Sequence, residues 1–66
     1  MEYVGKRIRE DRRITQKELS KKSGVSRSII NGLETGRTDT TTTKTLFKIA
    51  KALDVNINEL FSGVNA

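Results

Sequence analysis

Arg27, Ser28 and Asn31 lie within five residues of one another, with Gln16 and Ser26 before them and Thr35 and Arg37 after. On a helix, Arg27 and Asn31 fall one turn apart on the same face. A guanidinium fork matches the O6 and N7 acceptors of guanine, a contact worth roughly 1–3 kcal/mol of discrimination, and an asparagine amide pairs with adenine. The chain has no His and no Cys. That excludes disulfides, thiol chemistry, the usual zinc sites and most nucleophile–base catalysis. The chemistry that remains is recognition, so an enzyme is not expected, nor a metal or cofactor.

The charge has a direction. Residues 1–37 carry 10 basic and 5 acidic side chains, and residues 38–66 carry 3 and 3, so the whole net charge of +5 sits in the first half. A basic half joined to a neutral half points to an anionic partner, either nucleic acid or an anionic membrane. The basic residues do not sit opposite an aromatic-rich apolar face, which disfavours the membrane. No apolar run reaches the length of a membrane span, and Met1 to Arg7 lacks a signal-peptide core, so a cytoplasmic protein is expected. Sixty-six residues make one domain, 1–66, which buries only about 60% of its unfolded surface. Apolar content, 33%, is below average, but those residues fall in phase with helices.

Five short helices are expected. The first spans 2–12, with Val4 and Ile8 four apart and Gly5 weakening it. Thr15-Gln16-Lys17-Glu18 fits a capping box, with Ile14 as a hydrophobic staple, and opens a second helix that stops at Gly24. Ser26 caps a third, which carries Ile29, Ile30 and Leu33 and ends at Gly36. Residues 37–42 read as a Thr-rich loop, since no second strand is available to pair with it. The fourth, about 43–53, has Leu46, Ile49, Ala50 and Leu53 at helical spacing. Asn56 and Glu59 suggest another capping box, opening a short fifth helix with Ile57, Leu60 and Phe61 that runs to about Ser62.

The second and third helices leave room only for a tight turn. Counting Gln16 as position one, Leu19, Val25, Ile30 and Leu33 fill the apolar positions of a helix-turn-helix, small Ser20 the crossing point and Gly24 the turn. Ser23 departs, since that position is usually apolar. Through Thr15–Ser20, Gly24–Ser28, Ile30–Glu34, Thr45–Leu53 and Ile57–Phe61 the chain resembles the phage-repressor-like helix-turn-helix proteins, also called Cro/CI or XRE type. The match covers nearly the whole chain and is closest to stand-alone small repressors and restriction–modification controller proteins.

The resemblance implies an all-α, five-helix, lambda-repressor-like domain. Its helix-turn-helix would lie at about 16–35 and its packing and dimerisation half at about 43–66. It implies a homodimer on a palindromic operator in double-stranded DNA, with the helix at 26–35 in the major groove. Base contacts would come from Ser26, Arg27, Ser28, Asn31 and Gly32, with glycine permitting close backbone approach. Phosphate contacts would come from Gln16, Thr35, the Gly36 amide and Arg37. Helix N-termini favour anions, which independently suits Gln16. Arg9 would pair with Glu34. Leu60, Phe61 and Val64 are the interface candidates, with Leu60 turned inward and Phe61 and Val64 at the two-fold contact.

The family's usual proline before the fourth helix is missing, replaced by Asp39 to Thr43. Gly5 and Asp11 stand where relatives carry apolar or basic side chains. Lys21, Lys22, Arg12 and Arg13 read as solvated surface charge, and Lys44, Lys48 and Lys51 as the solvent side of the fourth helix. A transcription regulator, by default a repressor, is expected, without a small-molecule effector. The alternative is a protein-interaction module, such as an antitoxin or adaptor, that keeps the helix-turn-helix as scaffold.

Overall fold

A computed structural model describes residues 2–37 and 41–62. The order is β1 (Glu2–Tyr3), α1 (Gly5–Asp11), α2 (Gln16–Ser23), α3 (Arg27–Thr35), α4 (Thr43–Leu53), a 3-10 turn (Ile57–Leu60) and β2 (Phe61–Ser62). The described residues are mostly helical, with four α-helices among them rather than five. The expected fifth helix is one 3-10 turn. Glu59 accepts from the Asn56 amide at 2.7 Å to start it, and Phe61 turns extended (φ −127°, ψ 137°) to end it. Phe61 then pairs with Tyr3 and Ser62 with Glu2 in an antiparallel ladder, and the Val4 amide donates to the Leu60 carbonyl at 2.7 Å. That pairing also shortens the first helix, which starts at Gly5 instead of residue 2. The backbone of Glu2 and Tyr3 is committed to a partner about sixty residues away.

The other helix ends follow from local chemistry. Thr15 Oγ1 accepts from the Glu18 amide at 3.1 Å, and the Glu18 carboxylate accepts from the Thr15 amide at 2.9 Å. Those bonds, the Thr15 amide's first, hold the Glu18 carboxyl below its ordinary range. Ser26 and Thr42 cap α3 and α4, accepting from the Ile29 and Thr45 amides at 3.3 and 3.1 Å. Gly24 closes α2 in the left-handed region (φ 75°), where a Cβ would be strained. Ser23, the departure from the apolar pattern, has a role in this turn, because its Oγ accepts from the Val25 amide at 3.1 Å. Arg13 and Asp54 adopt positive φ (56° and 59°) without being glycine.

Leu19, Val25, Ile30, Leu33, Ile49, Ala50, Leu53 and Leu60 form the buried core, drawn from α2, the turn after it, α3, α4 and the 3-10 turn. Leu60 is fully buried within the protomer, so it has no surface to give a second copy. Phe61 is half-buried and packs edge-on against Tyr3, with ring centroids 5.8 Å apart. Val64 and the loop residues 38–40 lie outside the described residues. Gly5 is buried beneath Tyr3, and a Cβ there would collide with the tyrosine ring and hydroxyl. This explains a glycine where a larger side chain was expected. No helix among the described residues is long and apolar enough to cross a membrane.

Candidate nucleic-acid interface

One side of α3 is core, with Ile30 fully buried and Leu33 nearly so. The opposite side follows from the 3.6-residue period. Arg27, Ser28 and Asn31 are exposed there, as is Ser26 at the cap. Gln16, Arg27, Ser28 and Asn31 line one open depression between the α2 N-terminus and the outer face of α3. Residues far apart in sequence thus form one polar surface, and the tight turn at Ser23–Val25 is what brings them together.

Three expected contacts are placed differently. Gly32 is buried, so it faces the interior and not a base edge. The Gly36 amide, expected to meet a phosphate, donates to the Gly32 carbonyl, as does the Arg37 amide at 2.9 Å. These two bonds close α3 in a left-handed cap at Gly36 (φ 77°) and leave neither amide for an anion. Thr35 is exposed, but its hydroxyl donates to the Asn31 carbonyl at 2.8 Å. Arg37 is exposed just beyond this end of α3. Ile29, given no contact from the sequence, is 39% exposed beside Arg27 and Ser28. A strict helical period through Ile30 and Leu33 leaves Ile29 off the buried face, which was the signal available.

Beneath the surface lies a hydrogen-bond chain. Arg9 forks onto Glu34, Nε to Oε2 at 2.8 Å and a terminal nitrogen to Oε1 at 3.0 Å. Its other terminal nitrogen donates to the Ile14 carbonyl at 2.7 Å, tying α1 to the start of α2. The two side chains are only 11% and 2% exposed. The hydrogen bond to Glu34 holds the Arg9 guanidinium above its ordinary value, so it stays charged. Glu34 Oε1 also accepts from Gln16 Nε2 at 2.9 Å, and the same nitrogen donates to Asn31 Oδ1 at 3.3 Å. The resemblance paired Arg9 with Glu34 and gave Gln16 and Asn31 separate roles, whereas the structure joins all four.

Residues 6–60 match the model of a family described as helix-turn-helix. The chain is also similar to a protein of Methanocaldococcus jannaschii named as an uncharacterized HTH-type transcriptional regulator. The two are 46% identical over 48 residues, 73% of this chain and 71% of that one.

Proposed function

Since the chain belongs to the XRE-type helix-turn-helix family and is thereby a DNA-binding transcription regulator, we propose that it is a cytoplasmic repressor that binds a palindromic operator as a homodimer. The observation that carries the sequence-specific reading is the shared depression of Gln16, Arg27, Ser28 and Asn31 on a half of the chain that holds the whole charge excess. In this reading α3 enters the major groove. Arg27 and Asn31 contact base edges, Ser26 and Ser28 supplement them, and Ile29 meets a thymine methyl. The free first-turn amides of α2 and the Arg37 side chain hold phosphates.

A second copy supplies register and affinity that one half-site lacks. Phe61 is half-buried against Tyr3, whereas Phe47 is 55% exposed and borders a groove with Val55 and Ile57. Lys51, Asp54 and Glu59 also line that groove, and charges of both signs suit a self-complementary contact. Phe47 therefore joins Phe61 as the apolar surface of the proposed dimer.

Selection of bound duplexes from a random pool tests the reading. A palindromic site preferred over scrambled DNA by about a thousandfold or more is expected, with log affinity falling against log salt at about −0.9 per phosphate contact. Arg27→Ala should relax one position in each half-site, while Arg37→Ala should weaken all sequences alike. Equal affinity for selected and scrambled duplexes would remove the specific-regulator reading and favour the interaction-module alternative.

A further inference from the structure

We infer that Gln16 is a specificity-positioning residue that fixes which way the Asn31 amide faces, and that it does so by relaying donor–acceptor polarity from the buried Arg9–Glu34 pair. The inference rests on the reading of α3 as the base-reading helix. The relay itself lies wholly within the protein.

Arg9 has only donors, and an ionised carboxylate has only acceptors. Glu34 takes both bonds of the Arg9 fork and offers Oε1 to Gln16 at 2.9 Å. The Gln16 atom facing Glu34 must therefore be the amide nitrogen. With one of its hydrogens on Glu34, the other points to Asn31, so the Asn31 atom 3.3 Å away must be the oxygen. At each step the alternative amide flip would set two acceptors or two donors against each other. The chain ends at Asn31, which lines the open depression with its oxygen on Gln16 and its Nδ2 without an acceptor among the described residues.

Two consequences follow. The Gln16 side chain spends both amide hydrogens inside the protein, so a phosphate at this helix end is held by backbone amides rather than by this side chain. Asn31 meets the groove with its donor already presented, and a purine N7 or another acceptor edge is selected without first ordering the side chain. An asparagine free to flip could offer either its oxygen or its nitrogen and would distinguish donor from acceptor edges poorly.

The test compares wild type, Gln16→Ala and Asn31→Ala in two arms. In the free protein, nuclear magnetic relaxation of the Asn31 side-chain amide should show order in wild type and a fall below about 0.6 in order parameter in Gln16→Ala. An unchanged amide in Gln16→Ala would overturn the relay. In the DNA arm, Gln16→Ala should flatten preference at the same base pair that Asn31→Ala flattens, by about fivefold or more, and leave the other positions alone. The double variant should add little to either single one. A uniform loss across all sequences, with preferences intact, would make Gln16 a phosphate clamp and overturn the positioning role. A wild type without any preferred sequence would remove the readout role together with the regulator reading. The free-protein arm tells that outcome from a failure of the relay alone.

Discussion

Arg9 joins three segments through one guanidinium: Glu34 of α3, the Ile14 carbonyl before α2, and its own helix α1. Removing it leaves a carboxylate, 2% exposed, without its counter-charge. Breaking one side of such a pair costs about 3–5 kcal/mol. A domain of this size has only about 3–10 kcal/mol of stability in all. Arg9→Ala should therefore abolish or sharply lower the cooperative melt followed by circular dichroism, and a melt at the wild-type temperature would show the pair to be dispensable. Tyr3 gives a second prediction. Burial, with a smaller push from Glu34, raises its phenol from 10.0 to about 12, and the buried hydroxyl finds no partner among the described residues. The folded chain keeps a proton that the unfolded chain loses first. Burial penalises the ionised phenol, so the fold is unaffected by this group below pH 10 and loses stability as the pH rises from 10 through 12. Tyr3→Phe should remove this component of the alkaline fall between those limits, measured as the difference in denaturant midpoint between variant and wild type. It should also match or exceed wild-type stability at neutral pH, since an unpaired buried hydroxyl costs about 1–3 kcal/mol.

The helices owe their ends to caps, and caps can be tested one at a time. At Gly24 nothing lies within 4 Å of an added Cβ, so Gly24→Ala meets only the backbone cost of the left-handed region, about 1–2 kcal/mol. Arg13 bears a similar cost in the native chain at φ 56°. Gly24→Ala should lower the melting temperature by about 4–8 °C per kcal/mol lost, and Arg13→Gly should raise it by a smaller amount. Opposite signs are the expected outcome; two falls would mean that Arg13 has a contact worth more than its strain. The same locality explains what could be read from the sequence. Thr15, Ser26, Thr42, Gly24 and Gly36 mark α2, α3 and α4 because each acts on amides or carbonyls within four residues. The β1–β2 ladder was not legible, since strands of two residues carry no period and owe their existence to a partner at the far end of the chain. Nor was the chain from Glu34 to Asn31 through Gln16, because it depends on how α2 and α3 cross. Arg9 with Glu34 came from family resemblance alone, as 25 residues of separation predict no contact. Gly32 was misplaced because its neighbours Asn31 and Leu33 face opposite ways, and a glycine has no side chain to reveal which it follows.

For the whole molecule, the proposed DNA-facing and partner-facing surfaces belong to different stretches of chain. The first lies within residues 16–37, and the proposed second draws on Phe47 and Phe61. The two should therefore be separable by mutation. Phe47→Ala should reduce the sedimenting mass at micromolar concentration toward one protomer with little change in melting temperature, because the side chain is already 55% exposed. Phe61→Ala should also lower the melt, since it loses the Tyr3 contact. If neither variant changes the mass, the two-fold contact lies elsewhere. One last property follows from the two-residue ladder. Glu2 lies opposite Ser62, so the backbone enters and leaves the described fold through a gap of about 5 Å. A fold with that layout is a cassette: it can be spliced into a surface loop of a host without prying the host apart.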